Sequence, residues 1–105
     1  MTPYLFLLPV FNDWASLALL IKEIDNELKK KGRIGEIIIV NDCSTERDTL
    51  SKKKFTSIKN IRTINLNKNI GSQKAIFLGL KFIKKKNYNI IITILDSDGE
   101  DNPRM

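Results

Sequence analysis

The stretch Glu36-Ile37-Ile38-Ile39-Val40-Asn41-Asp42-Cys43-Ser44 decides the fold, because it changes abruptly from apolar to polar. A β-branched run such as residues 37–40 is typical of a strand that is buried on both faces of a sheet. The polar residues 41–48 predict a turn directly after that strand. A strand with both faces buried needs helices above and below the sheet, so this stretch predicts an α/β fold.

Strand and helix patterns alternate on both sides of this stretch. Strands are predicted at residues 4–10, 36–40, 61–66 and 90–95. A helix is predicted after the first strand from apolar residues spaced as one helical face, with Asn12 or Asp13 as its cap and Gly32 as its stop. That face consists of Leu17, Leu20, Ile21, Ile24 and Leu28. A further helix is predicted at residues 72–86, and a short one at 49–55.

This order predicts a Rossmann-like, three-layer αβα architecture with a mainly parallel four-stranded sheet, because strands separated by helices are joined by right-handed crossovers. Parallel sheets of this kind bind ligands beyond the carboxyl ends of their strands. Polar residues follow every predicted strand, which marks that edge as the candidate site. They are Asn12 and Asp13, then Asn41, Asp42 and Ser44, then Asn67, Lys68 and Asn69, and finally Asp96, Asp98, Glu100 and Asp101.

Composition narrows the class of protein. The 105 residues suit one domain, and a single cysteine without histidine excludes both an internal disulfide and a Cys/His zinc site. The same cysteine usage leads us to expect a cytoplasmic location. No run of about 20 apolar residues is present, so no membrane span is predicted. The net charge of +6 favours an anionic partner such as a nucleotide diphosphate, or reflects a lysine-rich surface. Nucleic-acid binding is not expected, because the basic clusters lack interleaved aromatic residues.

The acidic residues after the fourth predicted strand suggest a metal site. Asp96 and Asp98 are two positions apart, and two carboxylates about 4 Å apart repel by about 4 kcal/mol at an effective dielectric of 20. Mg²⁺ or Mn²⁺ would remove that repulsion and complete its shell with substrate phosphates. The alternative is an acidic loop that caps a helix starting near Pro103.

Other residues at the same edge have a ligand-binding and a structural interpretation. Asp42 could accept hydrogen bonds from a base or ribose, or close its own turn. Phe11 could stack on a base and Asp13 could hold polar ligand atoms, or these residues could simply end the strand and cap the helix. Lys74 could meet a phosphate near a helix N-terminus, or be an ordinary exposed lysine.

Together these segments resemble the inverting glycosyltransferases with the GT-A fold (glycosyltransferase family 2), which include dolichyl-phosphate mannose synthases and bacterial polyprenyl-phosphate glycosyltransferases. Each motif is weak alone, and the match rests on their order and on their positions at strand ends. The motifs are Pro9-Val10-Phe11-Asn12-Asp13, Val40-Asn41-Asp42-Cys43-Ser44-Thr45-Glu46, Asn69-Ile70-Gly71 with Ala75 and Gly79-Leu80, and Asp96-Ser97-Asp98. Phe11 stands where the family usually has Tyr, and Asp13 where it has Glu.

The resemblance implies a role for each matching residue. Five would line the nucleotide pocket: Pro9, Phe11, Asp13, Val40 and Asp42. Asp96, Ser97 and Asp98 would contact the sugar nucleotide and its Mg²⁺ or Mn²⁺, with Asp96 and Asp98 as metal ligands. Glu100 would approach the donor.

The resemblance also implies an activity. The chain would be the nucleotide-sugar-binding half, residues 1–105, of a glycosyltransferase of hexosyl type that uses a UDP- or GDP-sugar. A polyprenyl phosphate at the cytoplasmic face of the membrane would be the acceptor. Family members continue well beyond the Asp-x-Asp motif, so the acceptor-side base is not assigned to any residue.

Two alternatives stay open from the sequence. Asp96-Ser97-Asp98-Gly99 after an apolar strand also resembles the haloacid-dehalogenase-type phosphatases, in which the first Asp is a nucleophile, but Glu100 and the position of the motif depart from that pattern. The other alternative is a non-catalytic, truncated nucleotide-binding fragment with an exposed strand edge that is prone to association.

Overall fold

The computed structural model describes residues 3–48, 50, 55–86 and 91–94, with residues 84–86 and 91–94 described by their backbone. In chain order the elements are β1 (Tyr4–Val10), α1 (Trp14–Lys30), β2 (Gly35–Asn41), β3 (Ile58–Asn65), α2 (Ser72–Lys86) and β4 (Ile91–Ile94). The strands form one sheet in the order β3-β2-β1-β4. Every neighbouring pair is parallel, which confirms the predicted parallel four-stranded sheet.

The sheet lies between two helical layers, because successive side chains of β1 point to opposite faces. Phe6, Leu8 and Val10 belong to the cluster that packs against α1. Leu5 and Leu7 belong to the cluster that includes Ala75 and Ile83 of α2. A helix therefore covers each face, and the predicted three-layer αβα arrangement is confirmed.

Helix α1 begins and ends where its sequence predicts. Asp13 is the N-cap, and its carboxylate accepts a hydrogen bond from the Ser16 backbone N–H. The predicted apolar face is buried along its whole length, from Leu17 to Leu28. Beyond the last turn Gly32 has φ 63°, a left-handed conformation that glycine adopts without strain. Among the described residues, neither helix has the length and apolar character needed to span a membrane.

The third strand begins earlier than predicted, at Ile58 instead of residue 61. The cause is Asp25 on α1, whose carboxylate accepts hydrogen bonds from the backbone N–H groups of Ser57 at 2.8 Å and Ile58 at 3.0 Å. These bonds hold the chain in place at the start of the strand. The short helix predicted at 49–55 is not present at Leu50 or Phe55, and its other residues lie outside the described part of the chain.

Candidate functional site

The strand order places a topological switch point beside β1. From β1 the chain moves to β2 and then β3 on one side, whereas β4 lies on the other side of β1. In open parallel sheets the crevice outside the carboxyl ends of the strands, at such a point, is where ligands bind. The loop that follows β1 is therefore at the centre of the candidate site.

The first loop, residues 11–13, presents one exposed aromatic ring. Phe11 is 47% exposed although it follows directly on a buried strand. The loop is tight, since the Phe11 carbonyl accepts a hydrogen bond from the Asp13 N–H at 2.8 Å. Asp13 is exposed but its carboxylate serves as the α1 cap. The loop thus offers an aromatic face at the edge where a base could stack.

The second loop, residues 42–48, begins with a buried carboxylate. Asp42 is 2% exposed, and its N–H donates to the Val10 carbonyl at 2.8 Å, which fixes it beside the end of β1. Its Oδ1 accepts from the Ile70 N–H and its Oδ2 from the Gly71 N–H, both at 2.8 Å. The Asn69 amide also donates to the Asp42 carbonyl at 3.2 Å. Asp42 therefore joins the loop after β2 to the segment before α2.

The segment before α2 needs a glycine at this junction. Gly71 has φ 90°, in the region that favours glycine, and its carbonyl accepts from the Ala75 N–H in the first turn of the helix. Lys74 is exposed in that same turn. The N-terminal end of α2 and one lysine thus lie on the segment that Asp42 anchors, and a phosphate is attracted to such a helix end.

A second cross-link joins the first loop to the second. Asn12 donates its backbone N–H to Ser44 Oγ at 2.9 Å, and its side-chain Oδ1 accepts from the Glu46 N–H at 2.8 Å. Its Nδ2 lies 3.1 Å from Thr45 Oγ1. The Trp14 indole N–H donates to the Glu46 carbonyl at 3.2 Å. The loops after β1, β2 and β3 are thereby connected in series by side-chain hydrogen bonds.

The residues predicted for the site occupy different environments. Phe11, Asp13, Asp42 and Lys74 lie on the loops or helix end just described. Pro9 and Val40 are register partners inside the sheet and are buried there, so they offer a ligand no exposed side chain.

The predicted metal ligands and their neighbours, Asp96, Ser97, Asp98 and Glu100, lie outside the described residues. Within residues 3–48, 50, 55–86 and 91–94, no group of three or more His, Cys, Asp and Glu side chains could hold a metal ion. Strand β4 runs parallel to β1 and ends at Ile94, opposite Leu7. The acidic motif begins two positions later in the sequence, and its paired carboxylates match the oxygen ligands that Mg²⁺ and Mn²⁺ prefer.

Sequence reasoning missed the cross-linking residues. The sequence pattern places Asn12 and Ser44 at the polar edge and Thr45 and Glu46 in a turn and a motif, but it does not show that Asn12 binds the other three. One signal was available, since Asn12 and Asp13 are adjacent capping residues and one helix needs only one cap. When Asp13 caps the helix, the Asn12 side chain is available for another contact.

The sequence is similar to one protein family and to several curated proteins. The sequence model of the family described as "Glycosyl transferase family 2" matches residues 6–105. The chain is 33% identical over 98 residues to an undecaprenyl-phosphate 4-deoxy-4-formamido-L-arabinose transferase from Pectobacterium atrosepticum, which covers 91% of this chain and 29% of that protein. It is 32% identical to the protein of the same name from Pectobacterium carotovorum and 30% identical to that from Salmonella typhimurium, with the same coverage.

These similarities concern one part of each relative, since the relatives are longer than this chain. The chain spans 29% of the length of the curated relatives that it matches. The family match, in contrast, extends from residue 6 to Met105 and includes every motif quoted from the sequence. The chain belongs to glycosyl transferase family 2.

Proposed function

We propose that the chain is the donor-binding part of a glycosyltransferase that transfers a sugar from a nucleoside diphosphate to a polyprenyl phosphate. The observation that carries this proposal is the convergence of three loops at the switch point of the sheet, with Phe11 exposed and Asp42 buried beside it. Family membership supports a transferase over the phosphatase alternative, in which Asp96 would be a nucleophile.

The described residues have distinct roles in this proposal. Phe11 offers its exposed ring to the base. Asp42, which is 2% exposed, holds the backbone of Ile70 and Gly71 and so fixes the segment that borders the base and the ribose. Lys74, in the first turn of α2, attracts the diphosphate to the helix N-terminus. The base, the ribose and the phosphates are therefore assigned to the loops after β1, β2 and β3.

Asp96 and Asp98 are the residues that would hold Mg²⁺ or Mn²⁺ in this proposal. A divalent cation would neutralise charge on the leaving diphosphate as a Lewis acid. The acceptor would then attack the anomeric carbon from the opposite side, with inversion. Ser97 and Glu100 would contact the donor beside these carboxylates.

The acceptor rests on the family resemblance and on the names of the relatives, and the location rests on the family resemblance. Their name specifies undecaprenyl phosphate as the acceptor and a modified arabinose as the sugar. We infer a polyprenyl phosphate acceptor and a position at the cytoplasmic face of the membrane. Because that sugar is a pentose and the resemblance implied a hexosyl donor, a test of the donor must include both.

The proposal is tested by thermal unfolding of the chain with UDP-, GDP- and dTDP-linked pentoses and hexoses, each with and without Mn²⁺. We expect the nucleotide sugars of one base to raise the melting temperature of the chain, and to do so only when Mn²⁺ is present. A ligand at 100 times its Kd adds about 2.7 kcal/mol to the free energy of unfolding. The shift should vanish in Asp98→Ala and persist in Glu23→Gln, an exposed acidic residue on α1. No shift with any nucleotide, or an equal shift in Asp98→Ala, would contradict the proposal.

A further inference from the structure

Asn12 lies between Phe11 and Asp13 in the first loop, and its own conformation is unusual. Its φ of 63° is left-handed, a conformation in which Asn is several-fold enriched over most residues with side chains. Asp13 already caps α1, so the Asn12 side chain is not required by the helix. It reaches instead across the sheet edge to the second loop.

The contacts of Asn12 hold three consecutive residues of that loop. Its backbone N–H donates to Ser44 Oγ at 2.9 Å, its Nδ2 lies 3.1 Å from Thr45 Oγ1, and its Oδ1 accepts from the Glu46 N–H at 2.8 Å. A backbone N–H can only donate, so its partner must be the amide oxygen, and this fixes the orientation of the Asn12 amide. No other side chain of the same length as Asn carries both an N–H donor and a carbonyl acceptor.

Trp14 also binds this segment. Its indole N–H donates to the Glu46 carbonyl at 3.2 Å, and the side chain itself is 3% exposed in the core beneath α1. Both backbone polar groups of Glu46 are therefore bound by residues at the end of β1 and the start of α1. We name this set, Asn12 and Trp14 with Ser44, Thr45 and Glu46, the Asn12 clasp.

We propose that Asn12 is a positioning residue for donor binding, because the Asn12 clasp sets the spacing between Phe11 and the loop that carries Asp42. The inference rests on the proposed function and adds to it a residue that need not touch the donor. A loop that is held in its binding geometry beforehand loses less conformational freedom on association, and affinity rises accordingly. Asn12 acts through Phe11, its neighbour in the chain, and through Ser44.

Two substitutions separate the side-chain contacts from the backbone conformation. Asn12→Gly keeps a residue that adopts φ 63° and removes the amide. Asn12→Asp tolerates the same φ and keeps an acceptor for the Glu46 N–H, so it is the conservative variant. For the nucleotide that stabilises the wild-type chain, we expect the Kd to rise roughly tenfold in Asn12→Gly, since the two side-chain hydrogen bonds to Thr45 and Glu46 are lost. Asn12→Asp should recover most of that affinity.

A spectroscopic readout reports the Asn12 clasp without any ligand. Trp14 is the single tryptophan of the chain, so its fluorescence comes from the clasp itself. In Asn12→Gly we expect a red-shifted emission and faster hydrogen exchange at the Glu46 amide, at a temperature where circular dichroism shows the chain to be folded. Asn26→Gly is the control, because Asn26 is exposed on α1 and its replacement weakens the helix without touching the loops.

The possible outcomes are distinct. Weaker nucleotide binding and altered Trp14 emission in Asn12→Gly, with neither change in Asn26→Gly, support the inference. Unchanged Kd in Asn12→Gly overturns the positioning role while leaving the proposed function intact. If the wild-type chain binds none of the nucleotides, the proposed function and the role of Asn12 in it both fail, and the Glu46 exchange rate still shows whether the clasp exists.

Discussion

Asp25 and Asp42 are both buried carboxylates, and they lie at opposite ends of the same parallel sheet. Asp25, 7% exposed, accepts from the backbone N–H groups of Ser57 and Ile58 where β3 begins. Asp42, 2% exposed, accepts from two consecutive backbone N–H groups beyond the end of β2. Buried carboxylates need such donors, because an unpaired charge in a poorly hydrated environment is strongly destabilising.

The difference between the two lies in what surrounds them. Asp25 joins a helix to the start of a strand and lies among the residues of the core. Asp42 joins one loop to another, beside the exposed Phe11 and the segment that leads to Lys74. Burial and hydrogen bonding alone therefore do not separate a structural carboxylate from one in a candidate site. The two kinds of carboxylate are distinguished by their position relative to the carboxyl ends of the strands.

The largest effect on stability should come from Asp25→Ala. It leaves the N–H groups of Ser57 and Ile58 buried without partners, and we expect the free energy of unfolding to fall by about 4 kcal/mol. Urea denaturation monitored by circular dichroism measures this loss. Glu23→Ala, an exposed acidic residue on the same helix, should stay within about 0.5 kcal/mol of wild type. A loss below about 1 kcal/mol for Asp25→Ala would show that water replaces the carboxylate at little cost.

A smaller loss of stability, together with a loss of binding, is expected for Asp42→Asn. The amide places an NH₂ group against the N–H of Ile70 or Gly71, so one hydrogen bond becomes a donor facing a donor, at about 2 kcal/mol. The nucleotide Kd should rise roughly tenfold or more, as measured by calorimetry. Asp25→Asn is the control, with the same chemical change at the other end of the sheet. Its Oδ1 alone accepts from both Ser57 and Ile58, so the amide oxygen can keep both bonds and we expect a smaller loss of stability. An equal loss of affinity in the control would mean that the binding defect of Asp42→Asn reflects stability alone.

The smallest and most selective effect should distinguish two glycines. Gly71 and Gly32 have φ of 90° and 63°, and a Cβ at either position would meet no atom within 4 Å. Replacement by Ala therefore costs only backbone strain, about 1 kcal/mol at each position. Nucleotide affinity should fall in Gly71→Ala, because its N–H is held by Asp42, and stay constant in Gly32→Ala at the other end of the sheet. Equal nucleotide affinities in the two variants would show that residue 71 plays no part in nucleotide binding.

The architecture could be predicted from the sequence, because buried apolar residues recur with the period of the helix or strand that carries them. The apolar spacing from Leu17 to Leu28 predicted the buried face of α1, and the β-branched run at 37–40 predicted a strand covered on both sides. The order of strands and helices then predicted parallel pairing. The predicted start of β3 is wrong by three residues, because the carboxylate that accepts hydrogen bonds from Ser57 and Ile58 belongs to another element, α1.

The candidate site could be located from the sequence but not assembled from it. Position after a strand placed Phe11 and Asp42 at one edge, and the Val10 and Asp42 backbone bond confirms that they are neighbours. The pattern did not show that Pro9 and Val40 are enclosed in the sheet, or that both oxygens of Asp42 are bound to backbone. Roles in binding for these residues, and for the acidic motif at 96–98, stay predictions.

The amino-acid sequence is sufficient to predict the fold class, the order of the elements and the edge of the sheet that carries the polar residues. The tertiary structure decided which polar side chains bind each other, as in the choice of Asp13 for the cap and of Asn12 for the second loop. The reason is physical. Periodic burial is a property of neighbouring residues, whereas a hydrogen bond requires two atoms within about 3 Å. The partners of Asn12, Asp25 and Asp42 are 28 to 34 residues away along the chain.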